Sequence, residues 1–226
     1  VDVTSQNPGL GTLVAFGDSI TDGFHSTPGA DARWPNDLAR RLDTRFPTLA
    51  VADEGISGDR VLTSDECCGV NALARFDRDV VNRAGVKEVI LLMGINDIGF
   101  SVTPPNPVTN PLPDVSAAQI IAGYEQIIAQ AHAAGLKIFG GTLTPFKGAA
   151  YYSTAGEAKR EAVNDWILTS GAFDGVIDFA RVVADPSDPT MMAPQYDSGD
   201  HLHPNDAGYQ AMANAIPLRL LVDNRQ

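Results

Sequence analysis

The chain has 226 residues, 44% of them hydrophobic and 19% charged, which is ordinary for a globular protein and long enough to bury a sizeable core as one domain spanning 1–226. A net charge of −12 argues against nucleic acid as a partner, because phosphate binding calls for clustered Lys and Arg. No apolar run has the length of a membrane span, so a membrane-spanning segment is not expected.

Five apolar runs alternate with helical patterns. Leu13–Phe16, Leu49–Ala52, Val86–Met93, Leu136–Leu143 and Gly175–Phe179 read as strands, and their lack of polar alternation suits strands covered on both faces. The first helix opens at Trp34-Pro35, with Leu38 and Leu42 on one face. Asn71–Asn82 is the second, with Leu73, Phe76 and Val80 at helical spacing. Ser116–Ala134 begins with the capping box Ser116…Gln119 and stops at Gly135. Thr154…Glu157 caps a fourth helix running to about Thr169, and a last one covers Asn205–Leu221, ended or kinked near Pro217. Strand–helix alternation of this kind predicts an α/β fold, a three-layer sandwich around a parallel sheet. Thr103–Asp114 and Val182–Gly199 break the alternation; both are rich in proline and are expected as rim loops or plain surface loops.

The residues able to do chemistry cluster at strand ends. Asp18-Ser19 follows the first strand, Gly55-Ile56-Ser57-Gly58-Asp59 the second and Gly94-Ile95-Asn96-Asp97 the third, while Asp200-x-x-His203 precedes the last helix. Ser19 supplies a hydroxyl nucleophile. Gly58 offers a backbone N–H that a ligand can approach closely, and Asn96 offers an amide donor. His203 can take the serine proton, and Asp200 can fix its tautomer and raise its pKa. His201, with Asp197, Asp200 and His203, leaves a metal-dependent hydrolase open as a weaker alternative. His25, just past the nucleophile turn, is compatible with a cleft wall or with plain surface, and His132 reads as structural.

The four blocks, in this order, resemble the SGNH hydrolases, the GDSL esterase/lipase family. Ser19 stands in Gly-Asp-Ser-Ile, Gly58 in Gly-Ile-Ser-Gly, Asn96 in Gly-Ile-Asn-Asp and His203 in Asp-His-Leu-His, with Ile20 replacing the leucine of the family's name. The resemblance covers about Thr12 to Tyr209. It implies a flavodoxin-like sheet of order 2-1-3-4-5, catalytic Ser19, His203 and Asp200, and an oxyanion hole from the Ser19 N–H, the Gly58 N–H and the Asn96 side chain. It implies no metal and no other cofactor. The implied activity is serine esterase hydrolysis of carboxylic esters through an acyl-enzyme on Ser19; short acyl chains are expected, because no lid-like apolar helix is visible and the rim segments are polar and proline-rich. Carbohydrate O-deacetylation and a catalytically silent carbohydrate-binding relative are the alternatives, so the partner is a small-molecule or carbohydrate ester.

Only two cysteines are present, the adjacent Cys67 and Cys68. They are either a vicinal disulfide or two free thiols. The chain begins at Val1 and not Met, as expected if a leader has been removed, and a secreted or extracellular location is the expectation.

Overall fold

The computed structural model describes residues 11–45, 49–101 and 113–222. In chain order the elements are β1 (Gly11–Gly17), α1 (Ser19–Asp22), α2 (Trp34–Arg45), β2 (Leu49–Gly55), α3 (Ala72–Phe76), β3 (Val86–Leu92), α4 (Ile95–Gly99), α5 (Ala117–Ala133), β4 (Lys137–Gly141), α6 (Thr154–Thr169), β5 (Gly175–Ile177), α7 (Phe179–Val183), β6 (Ala184–Asp185), β7 (Asp188–Met192), α8 (Asp206–Ala215) and α9 (Arg219–Val222). The five main strands form one sheet in the order β2-β1-β3-β4-β5, every pairing parallel. Helices surround it: α2 packs against α8 and α8 against α7, while α5 packs against α3 and α6.

The apolar runs form the centre. Leu13, Val14, Phe16, Val89 and Ile90 have no solvent exposure, as expected for strands flanked on both sides. Truncating one such side chain to Ala costs about 2–5 kcal/mol, from lost transfer energy and the cavity left behind. β2 is one of the two edge strands, with β5 at the other side, and beyond Leu49 it is only partly buried.

Most helix signals operate as read. Ser116 and Gln119 form the full capping box of α5, and α8 ends at Ile216-Pro217 before the short α9. Two readings change. The cap of α6 is Ser153, whose Oγ accepts the Gly156 N–H at 2.9 Å, so Thr154 is the first helical residue. The Asn71–Asn82 pattern is helical but not uniform: α3 runs into a π-helical turn, Asp77–Val81, which keeps both Asp79 and Val80 buried. Of the two proline-rich segments, Val182–Gly199 is not simply a loop, because β6 and β7 pair antiparallel as a short hairpin within it. Thr103–Leu112 lies outside the described residues.

Candidate functional site

The site sits beyond the carboxyl ends of β1, β2 and β3, where an open parallel sheet places its ligands. Gly17 ends β1 because nothing larger fits: a Cβ there would lie 2.1 Å from Thr21 Oγ1 and 2.5 Å from the Leu92 carbonyl. That close approach folds the first turn of α1 back over the strand end. Asp18 caps α1 by accepting the Ile20 N–H at 3.0 Å, and Ser19 follows, 6% exposed.

His203 Nε2 lies 2.8 Å from Ser19 Oγ, and His203 Nδ1 lies 2.5 Å from Asp200 Oδ2. Asp200 Oδ1 meanwhile accepts the backbone N–H groups of Leu202 at 2.9 Å and His203 at 2.8 Å. Burial opposes the charge on Asp200, but the His203 ring and these two amides outweigh it and hold the carboxyl at about 2. The sequence expectation for His203 is reversed. Its pKa lies below the ordinary histidine value because burial dominates; Asp200 pulls upward, but not enough, and the nearby His25 pushes down further.

The other two blocks are tied to the Ser19 turn. Ile56 N–H donates to the Gly17 carbonyl at 3.1 Å, and Ser57 Oγ donates to Asp22 at 2.7 Å. Gly58 adopts the left-handed conformation at φ +81°, which favours glycine. Asn96, in α4, is 2% exposed; its Nδ2 donates to the Asp59 carbonyl at 3.1 Å, and its Oδ1 accepts from the Tyr151 hydroxyl at 3.2 Å. An amide nitrogen carries two hydrogens, so among the described residues one has no acceptor.

A family model, the GDSL-like Lipase/Acylhydrolase family, matches residues 15–211. The chain belongs to this family. Solved structures of the same fold include the native aryl esterase of M. smegmatis (16% identity, TM-score 0.68, covering 91% of this chain and 95% of that one). An acetylxylan esterase from Geobacillus stearothermophilus is 19% identical with a TM-score of 0.66, covering 94% of each chain. A GDSL-like lipase from Bacteroides thetaiotaomicron VPI-5482 is 19% identical with a TM-score of 0.65, covering 93% of this chain and 87% of that one. Comparison with the curated proteins yielded no match.

Within this GDSL-family chain, Arg75 is the strut of the site and has no local sequence signature. Its side chain is fully buried, stacks 4.1 Å from the Phe16 ring centre and bonds the Asp59 carboxylate at 2.5 Å. It also donates to the Gly17 carbonyl at 2.8 Å and the Glu54 carbonyl at 3.0 Å. One guanidinium therefore joins the ends of β1 and β2 to the segment after Gly58. Burial also pushes the Asp18 carboxyl up to about 7 and the Asp97 carboxyl up to about 6, the latter against N–H bonds from Val61 and Leu62. Asp97 thereby tethers the segment after Gly58 to α4.

The remaining histidines divide. His25 belongs to the site: its Nε2 is 3.3 Å from Asp200 Oδ2, and the Phe24 ring packs 4.7 Å from the His203 ring. His201 instead turns to Asp197 at 2.6 Å, so the cluster read as one metal set splits into two pairs. His25, Asp200 and His203 do offer three ligand atoms within 4.8 Å of one another, but both nitrogens of His203 are already engaged, by Ser19 and Asp200. His132 bonds Asp174 at 2.9 Å, and that carboxylate also accepts the Ile138 N–H. Cys67 and Cys68 are joined as a disulfide. Among the described residues no helix is long and apolar enough to cross a membrane.

Proposed function

We propose that this family member is a serine esterase that hydrolyses carboxylic esters with short acyl chains through an acyl-enzyme on Ser19. The observation that carries the reading is the continuous Ser19–His203–Asp200 chain of hydrogen-bonding contacts. With Nδ1–H donating to Asp200, Nε2 accepts the proton as Ser19 Oγ attacks the ester carbonyl, and Asp200 stabilises the resulting imidazolium. The oxyanion takes the Ser19 and Gly58 N–H groups and the second Nδ2 hydrogen of Asn96. Collapse breaks the ester C–O bond, and His203 returns the proton to the leaving alcohol. Water, deprotonated by His203, then attacks the acyl-enzyme and releases the acid and free Ser19.

A short acyl preference follows from the surface. Among the described residues the exposed large apolar side chains are Phe24, Val70, Leu168 and Val176, and only Phe24 packs on His203, whereas lipid would call for a broad apolar patch. A sugar ester is the second reading. It is favoured by a hollow of about 210 Å³ beside Phe24, lined by Asp22, Ser26, Thr27, Asp31 and Arg33, whose polar groups suit a hydroxyl-rich alcohol. The same proposal treats 1–226 as one catalytic domain and places it outside the cell, where a disulfide persists.

The test is a hydrolysis profile over 4-nitrophenyl esters of increasing chain length and acetylated sugars, with Ser19→Ala as control. Acetyl to butyryl esters should be cleaved fastest and the variant should sit at background. Faster cleavage of long chains overturns the acyl preference, and turnover retained by Ser19→Ala overturns the acyl-enzyme.

A further inference from the structure

We infer that the Cys67–Cys68 disulfide is a positioning element for the Gly58 amide, so that turnover at Ser19 depends on its being oxidised. The inference rests on the acyl-enzyme reading above and adds a requirement to it.

Gly58 packs directly on the disulfide. A Cβ built on Gly58 would lie 2.6 Å from Cys68 Sγ and 3.0 Å from Cys68 Cβ, so the backbone bearing the proposed oxyanion donor rests on that sulfur. The Gly58 N–H meets no acceptor among the described residues and remains available to a ligand. The next carbonyl, of Asp59, receives Asn96 Nδ2, so a shift at Gly58 disturbs the partner of a second donor.

The other side of the disulfide turn is anchored. Asp65 Oδ1 accepts both the Cys67 N–H at 3.1 Å and the Cys68 N–H at 2.9 Å, and Asp65 and Gly69 exchange backbone hydrogen bonds at 3.1 Å. The Asp65 carboxylate is held by Arg60, whose Nε donates to the Thr63 carbonyl at 3.1 Å and whose guanidinium lies 5.4 Å from the Phe100 ring centre. The base of the turn is therefore fixed, and its sulfur face is what meets Gly58.

Cys67 is exposed while Cys68 is half-buried, so a dithiol reductant can reach the bond. Its first thiolate attacks one sulfur and breaks the S–S bond; its second displaces the mixed disulfide, leaving the reductant oxidised and two thiols on the protein. Two unbonded sulfurs on neighbouring residues cannot keep their bonded spacing. With the base of the turn pinned, Cys68 Sγ must press on Gly58 or withdraw from it, and a close-packed contact tolerates neither without moving the backbone.

The experiment compares oxidised protein, protein reduced by dithiothreitol with both thiols verified by alkylation and intact mass, and the double variant Cys67→Ser/Cys68→Ser. Two quantities are read: steady-state hydrolysis of 4-nitrophenyl acetate, and amide hydrogen exchange peptide by peptide. Reduction should lower kcat about tenfold or more, part of the loss for removing one oxyanion donor, with KM within about twofold, and reoxidation should restore it. The double variant should be as slow as the reduced protein and indifferent to dithiothreitol. Exchange should quicken in the peptide containing Gly58 and stay unchanged in the central strands. Fully reduced protein with undiminished kcat, an effect on KM alone, or equal inhibition of the double variant by the reductant would overturn the inference. Quickened exchange across the whole chain would also overturn it, by assigning the disulfide to global stability. If the oxidised protein has no Ser19-dependent turnover, the esterase reading has failed separately, and unchanged exchange at Gly58 then overturns the positioning role on its own.

Discussion

Asn96→Ala isolates the one proposed oxyanion donor that is a side chain. In the native protein one Nδ2 hydrogen goes to the Asp59 carbonyl at 3.1 Å and Oδ1 takes the Tyr151 hydroxyl at 3.2 Å, and the proposal gives the second hydrogen to the substrate oxyanion. The variant loses that hydrogen only where charge develops, so kcat should fall roughly 10²–10³-fold, or about 2.7–4 kcal/mol, with KM changed far less. A stability cost is separate: the Asp59 carbonyl and the Tyr151 hydroxyl lose their partner, about 1–3 kcal/mol, which a fold with about 5–15 kcal/mol in reserve survives. Tyr151→Phe leaves the amide in place but frees its Oδ1, so it should lower kcat by less than Asn96→Ala does. The assay is steady-state hydrolysis of 4-nitrophenyl acetate beside a thermal melt. An effect confined to KM, or a kcat within about threefold of wild type in folded Asn96→Ala, would refute the assignment of Asn96 as an oxyanion donor.

Two further outcomes are expected. As the proposed base, His203 must be neutral to act, and burial and His25 set its pKa below the ordinary value; kcat/KM should therefore be full at neutral pH and fall with an acid midpoint below about 6.5, while a midpoint above about 7 would contradict the burial argument. Arg75→Met removes the fully buried cation between Asp59 and the ends of β1 and β2; it should cost about 3–5 kcal/mol, seen as a Tm lower by roughly 6–20 °C, and a shift under about 2 °C would show that Arg75 is no strut.

The strand order and the four chemical blocks are legible in sequence for a physical reason. Three of the four blocks are short contiguous stretches just after an apolar strand, as with Leu13–Phe16 before Ser19 and Val89–Leu92 before Asn96, and the fourth, Asp200-x-x-His203, is a compact stretch just before the last helix. What holds the blocks together is not legible. Tyr151 reaches Asn96 from 55 residues away and Arg75 reaches Gly17 from 58, and no local pattern announces either contact. The sign of the His203 shift is hidden for the same reason: Asp200 is visible three residues away, whereas the burial that outweighs it comes from the packed whole. His25 is ambiguous in sequence because a histidine after a turn is compatible with surface or cleft, and only the fold brings it to Asp200. Ser153 and Thr154 are both good caps, so the one-residue error at α6 reflects a real near-degeneracy.

The central claim is that Ser19, activated by His203, carries the acyl group. A fluorophosphonate, which stays on an activated serine, tests it directly when the labelled protein is digested and the adduct located by mass. One adduct per chain on Ser19, rising in step with loss of esterase activity and formed far more slowly in His203→Ala, is the expected result. An adduct on another residue, or full esterase activity after complete labelling of Ser19, would contradict it.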